Sequence, residues 1–310
     1  MKHSPRLNPA NLHIPPLDLL ARGLVEGYLT GLHRSPFHGY SSEFREHKMY
    51  TPGESIRFID WKVYARTGKL YIKQFDEETN MQVQLVLDVS PSMYYPSMER
   101  FDLERLNKIG FAVVASAVLS EILRRQRDAT GLSLYAGDLI EHMDARVNPL
   151  HRQRLLGRLE QVLRQVPERG ATRTARSLHL VAERLKKRSL VVVFSDFWDY
   201  AHAPGRVVDA LKYVRFKSSE LIVFHIRDRR TEDFFDFPDR PTRFKDLENG
   251  REISLHPREI REAYRRQREL LNRRLREEAY RYHFDYVPVD TATPYEQIMA
   301  AYLQKRLRMH

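Results

Sequence analysis

Asp88, Ser90 and Ser92 stand at alternate positions directly after the apolar run Val83, Leu85, Val86 and Leu87. That spacing aims one carboxylate and two hydroxyls just beyond the end of a buried strand, where open α/β sheets place their ligands. These are hard oxygen donors suited to a divalent cation. Mg2+ takes near-octahedral oxygens at about 2.0–2.1 Å and keeps several waters, so one or two carboxylates plus hydroxyls suffice. The same stretch also reads as a strand running into a Ser/Pro turn, so a cation site requires donors from other strand ends. The chain offers them: Gly170-Ala171-Thr172-Arg173-Thr174 opens a helix, and an apolar run over 190–194 enters Ser195-Asp196. Singly, Thr172 would serve as a helix cap and Asp196 as a strand end. Together Asp88, Ser90, Ser92, Thr172 and Asp196 form the candidate metal-ligand set, with Thr174 as the alternative to Thr172.

The elements that must position them follow from periodicity. Residues 17–34 read as a helix after Pro15-Pro16, and 39–78 as short alternating pieces with a Thr67-Gly68 turn before a strand at 70–75. From Met81 onward strands and helices alternate. Strands are expected at 83–87, 130–135, 139–147, 190–194, 220–226 and 284–289. Helices are expected at 103–125, 150–166, 174–187, 207–213, 257–282 and 294–307. Residues 227–254 are rich in Asp, Phe, Pro and Arg and read as an excursion with short strands. The fold class is therefore α/β, a doubly wound and mostly parallel sheet with helices on both faces. It is preceded by a helical entry (1–38) and a β-rich elaboration (39–80), with the sheet domain over 81–310 and an irregular insertion near 227–256. On such a sheet all five candidate ligands fall at one edge.

Composition narrows the chemistry. The 310 residues contain no cysteine, which excludes disulfides, thiolate nucleophiles and cysteine-ligated zinc or iron–sulfur centres. Lys and Arg number 52 against 41 Asp and Glu, a net charge of +11 with the two signs interspersed, the pattern of a solvated surface. No apolar run approaches the about 20 residues of a membrane span. The beginning of the chain also lacks the apolar core of a signal peptide. The expectation is a soluble, cytoplasmic protein.

Three segments, Asp88-Val89-Ser90-Pro91-Ser92, Gly170-Ala171-Thr172 and Val193-Phe194-Ser195-Asp196, resemble the metal-ion-dependent adhesion site (MIDAS) of von Willebrand factor type A domains. Upstream, Ser42-Glu43-Phe44-Arg45-Glu46, the block from Tyr50 to Trp61, and Ala65-Arg66 resemble a narrower bacterial group, the family numbered fifty-eight among domains of unknown function. The resemblance covers most of residues 39–310. It implies a type A fold, a bound Mg2+ or Mn2+, a protein partner that supplies an Asp or Glu to the ion, and a MoxR-type AAA+ ATPase as companion. Thr172 is preferred over Thr174 because it follows Gly170-Ala171 as the family's threonine follows its small residues. Two departures stand out. Glu54 replaces the usual Asp after Pro-Gly, and Ser195-Asp196-Phe197 replaces the Thr-Asp-Gly of many type A domains, leaving direct or water-mediated binding by Asp196 open.

Other motifs carry two readings each. Around Arg57, Asp60, Trp61 and Arg66, an ion pair and an aromatic anchor are favoured over a separate binding surface. The arginines from 265 to 276 alternate with Glu262, Glu269, Glu277 and Glu278, the pattern of a solvated helix face rather than a phosphate site. Phe234, Phe235 and Phe237 form either an exposed docking loop or a satellite cluster. The leading function is a non-enzymatic, metal-dependent protein-binding module. A metal-dependent phosphoryl-transfer or hydrolytic enzyme is the alternative, disfavoured because Ser90 stands where an aspartyl-phosphate enzyme has its second carboxylate and no phosphate loop or His-Glu-x-x-His pair occurs. Nucleic-acid binding rests only on charge.

Overall fold

The computed structural model describes residues 14–32, 47–49, 61–73, 81–98, 100–165, 172–186 and 188–307. It divides into two compact units, residues 31–80 and the remainder. Arg57, Asp60, Gly170, Ala171 and most of the Ser42–Trp61 block lie outside the described residues. In the smaller unit β1 (His47–Met49) pairs antiparallel with β2 (Tyr71–Lys73). Between them lies a helix that the alternating pattern did not suggest, α2 (Trp61–Thr67). Gly68 stops it at φ +66°, and its N–H donates to the Tyr64 carbonyl at 2.8 Å, the left-handed closure that glycine makes without steric cost. Trp61 is 61% exposed and meets the Tyr64 ring edge-on.

The larger unit is built on a six-stranded sheet: β3 (Gln82–Asp88), β4 (Ala129–Tyr135), β5 (Leu139–Arg146), β6 (Ser189–Ser195), β7 (Glu220–Arg227) and β10 (Asp285–Asp290). Its spatial order is β10-β7-β6-β3-β4-β5. All neighbours are parallel except β4 and β5, whose antiparallel pairing follows from their tight connection. The sheet is thus mostly parallel, with an antiparallel edge strand.

Strand side chains alternate between two cores. Leu85 and Leu87, Val192 and Phe194, Ile222 and Phe224 pack with α1 (Leu17–Leu32), α3 (Lys108–Arg125), α4 (Pro149–Arg164) and α8 (Tyr295–Leu307). Val86, Val191, Val193, Leu221 and Val223 pack with α5 (Thr174–Ala182), α6 (Pro204–Lys217) and α7 (Pro257–Arg281). Helices on both faces make the sheet doubly wound.

Helix α3 begins at Lys108, five residues later than periodicity suggests, because Asn107 caps it: its Oδ1 accepts from the Gly110 N–H at 2.9 Å. Helix α5 stops at Ala182 rather than continuing to 187. The excursion after β7 contains a single π-turn (Arg229–Asp233) and a hairpin of β8 (Thr242–Lys245) and β9 (Glu252–Leu255). Among the described residues no helix is long and apolar enough to cross a membrane.

Candidate functional site

The chain leaves β3 for β4 and β5 on one side, then returns to place β6 against the other flank of β3. The carboxyl ends of β3 and β6 therefore border the point where the winding reverses, the crevice in which open α/β sheets bind ligands. Leu87 is in register with Phe194, so Asp88 and Ser195 follow at the same level. The Ser195 hydroxyl donates to Asp88 Oδ2 at 2.7 Å, and the Ser90 N–H donates to Oδ1 at 2.9 Å. Pro91 starts a short 3-10 turn (Pro91–Tyr94) that Ser90 precedes. This turn brings Ser90 Oγ within 3.0 Å of Ser92 Oγ.

All five predicted ligands are buried: Asp88 and Ser90 at 0%, Asp196 at 2%, Ser92 at 4% and Thr172 at 6% exposure. The loop bearing Thr172 is tied to the end of β4 by a bond from the Arg173 N–H to the Ala136 carbonyl. Thr174 faces a different acceptor, its N–H donating to Asp199 Oδ2 at 2.9 Å.

Three side chains outside the predicted set dominate the electrostatics. Lys108, at 0% exposure on the first turn of α3, donates to Asp196 Oδ2 at 2.6 Å and to Glu232 Oε1 at 2.5 Å. Glu232 comes from the π-turn after β7 and also accepts from the Asp228 N–H. Glu248, from the turn between β8 and β9, receives both the N–H (2.9 Å) and the hydroxyl of Thr172. Sequence spacing pointed to none of them. The one available signal was a lysine opening a helix that is buried almost all round.

Burial, followed by repulsion from Asp196, raises the Asp88 carboxyl to about 8. Burial likewise raises Glu232, partly offset by Lys108, and raises Glu248 against its bonds from Thr172. Burial alone would depress Lys108, but attraction to Asp196 and Glu232 holds it above its ordinary value. The balance is plain: Asp88, Asp196, Glu232 and Glu248 are four buried acids, with Lys108 as the buried ammonium among them. Such an excess either holds protons or attracts a further cation.

Asp196 is held closely. Its Oδ1 accepts from the Trp198 N–H at 3.0 Å, and its carbonyl accepts from His225 Nε2 at 3.1 Å, while His225 Nδ1 accepts from the Tyr286 hydroxyl. Burial, then Arg227 and Arg268, push His225 well below its ordinary value, which agrees with this neutral pattern. Phe197, next in the chain, sits at φ +49° with 1% exposure and its ring edge-on to His225. A bulky residue in the left-handed region costs about 1 kcal/mol or more, offset here by burial of the ring. Glycine would adopt the same backbone without that cost.

Among the described residues no three His, Cys, Asp or Glu side chains are grouped to hold a metal ion; the predicted set depends on its hydroxyls. Its chemistry nevertheless fits Mg2+. Two ligands at about 2.0–2.1 Å and at right angles around an octahedral ion stand about 2.9 Å apart, and Ser90 Oγ and Ser92 Oγ are 3.0 Å apart. The Tyr135 hydroxyl, Thr174 Oγ1 and Asp199 Oδ1 are also buried without a hydrogen bond of good geometry.

Residues 46–274 match the model of the family described as "Protein of unknown function DUF58". This chain belongs to the DUF58 family. Uncharacterised proteins of Mycobacterium tuberculosis and Mycobacterium bovis are each 25% identical to the DUF58 chain over 243 residues, 78% of this chain and 72% of theirs. Among solved structures it is similar to the conserved hypothetical protein BatB of Bacteroides thetaiotaomicron (15% identity, 74% of this chain and 99% of that one, TM-score 0.43). It is also similar to an aerotolerance-related membrane protein of Bacteroides fragilis (16%, 73% and 99%, TM-score 0.45) and to the PilB minor pilin of Streptococcus sanguinis (8%, 77% and 64%, TM-score 0.41).

Proposed function

We propose that this DUF58 chain is a von Willebrand type A-like, non-enzymatic module that binds a protein partner through a divalent cation, Mg2+ or Mn2+. The observation that carries this reading is the Ser90–Ser92 hydroxyl pair at 3.0 Å, set among four buried acids and the Lys108 ammonium. Ser90, Ser92 and Thr172 supply oxygens with free lone pairs. Hydrogen bonds to both oxygens of Asp88 and of Asp196 fix these carboxylates in place; in this reading they balance the ion's charge and orient its waters. When bound, the cation supplies an electrophile on which a partner's carboxylate completes the coordination shell.

In this reading Lys108 holds the Asp196 carboxylate in place, and Ser195 orients Asp88. The family resemblance suggests a MoxR-type AAA+ ATPase as partner, with the chain acting as a cytoplasmic adaptor in assembly or maturation of other proteins.

A pull-down on the full chain in Mg2+ and in EDTA tests the proposal. An AAA+ ATPase identified among the recovered proteins should be present in Mg2+, and lost both in EDTA and with the Ser90→Ala/Ser92→Ala variant. Equal recovery under all three conditions would refute metal-dependent binding.

A further inference from the structure

Thr172, one of the hydroxyls assigned to the ion, already carries a carboxylate. Glu248 accepts its N–H at 2.9 Å and its hydroxyl through the other oxygen. Only 8% of Glu248 is exposed, and among the described residues its bonds are to Thr172 rather than to any lysine or arginine. Asp196 and Asp199 repel it. A buried carboxylate among like charges is a costly arrangement unless a cation stands close by.

The turn that presents Glu248 is braced. The Asp246 side chain accepts from the N–H groups of Glu248 (2.8 Å) and Asn249 (3.2 Å) and from Asn249 Nδ2 (2.6 Å), and Gly250 closes the turn at φ +75°. The hairpin itself is seated by Phe244, which stacks on Phe235 at 5.3 Å and meets Phe237 edge-on, while Phe235 packs against Tyr264 of α7. Of the two readings of the phenylalanines, the satellite cluster holds for Phe235 and Phe237, and Phe234 alone is 44% exposed. A carboxylate delivered to the rim by a braced turn has the form of a ligand.

We infer that Glu248 is an internal ligand: the β8–β9 hairpin holds its carboxylate in the place that a partner's Asp or Glu takes, so that partner binding is an exchange of carboxylates. The inference rests on the metal-dependent reading above. It implies that an outside carboxylate competes with a tethered one whose effective concentration is of millimolar order or higher. Such competition reduces apparent affinity by the fraction of time the position is open. The partner must therefore either engage additional surface or draw the hairpin away.

The full chain loaded with Mn2+ provides the test, with acetate as the probe and water-proton relaxation by the bound ion as the readout. In the wild-type chain acetate should change the relaxation little. Glu248→Ala, which lacks one ligand and is therefore loaded at a higher, saturating Mn2+ concentration, should relax water faster through a newly opened position and bind acetate about tenfold tighter than the wild type, the relaxation falling as acetate enters. Glu248→Gln, whose amide oxygen still accepts from the Thr172 N–H, provides the same comparison should the alanine variant fold poorly, with a smaller shift in the same direction. Variants that hold Mn2+ but respond to acetate as the wild type does would reduce Glu248 to a structural anchor and overturn the inference. Absence of Mn2+ binding by the wild-type chain would instead overturn the metal reading, and this one with it.

Discussion

Lys108 occupies a position where a single substitution has a definite sign. Its ammonium is fully buried between Asp196 and Glu232, and breaking a buried pair by removing one partner costs about 3–5 kcal/mol because the remaining charge stays buried. Lys108→Met should lower the unfolding free energy by an amount of that order, measured by denaturant titration. Adding Glu232→Gln should recover part of it, since the amide no longer repels Asp196; an additive or larger loss would mean that the three groups do not act as one unit. Asp88, Ser90, Ser92 and Asp196 were legible as residues because they stand at or just past the ends of apolar runs, and Thr172 because it opens a helix after Gly170-Ala171. Lys108, Glu232 and Glu248 were not, because their partners lie 88, 124 and 76 residues away. A contact across such separations leaves no spacing in the sequence.

At the scale of elements, α3 is placed by its two ends. Lys108 fixes the first turn, and Glu121 fixes the last through Arg124 (2.7 Å), Arg125 (3.0 Å) and Arg152 of α4 (3.0 Å), while Arg152 also pairs with Asp18 of α1. Burial alone would raise Glu121, but the bonds from Arg124 and Arg125 and the charge of Arg152 outweigh it and lower the carboxyl from its ordinary 4.5 to about 2. A depressed carboxyl contributes stability above its unfolded value, and that contribution is lost as the pH falls through the folded one. Denaturation midpoints should therefore decline between about pH 4.5 and pH 2, and Glu121→Gln should flatten that part of the profile; an unchanged slope would contradict the assignment. Periodicity located α3 but not its start, since Asn107 overrides the apolar pattern by capping. It also missed α2, too short for a helical period to show against the surrounding turns. The β8–β9 hairpin was foreseen only as short strands, and its use as the arm carrying Glu248 depends on the aromatic seat of Phe235, Phe244 and Tyr264.

For the whole molecule, alternation of strands and helices was enough to specify a doubly wound sheet, because parallel strands need crossover helices and those helices must cover both faces. The order of strands was not written in the pattern. Yet that order brings Asp88 and Ser195 into contact at the reversal between β3 and β6. A divalent cation held through the hydroxyls of this strand-end site is the proposed ligand. Mn2+ titration of the full chain, followed by electron paramagnetic resonance of the free ion, measures its binding. The expected result is one Mn2+ per wild-type chain, bound at least about tenfold more weakly by a folded Ser90→Ala/Ser92→Ala variant; equal affinity in the two proteins would contradict cation binding through these hydroxyls.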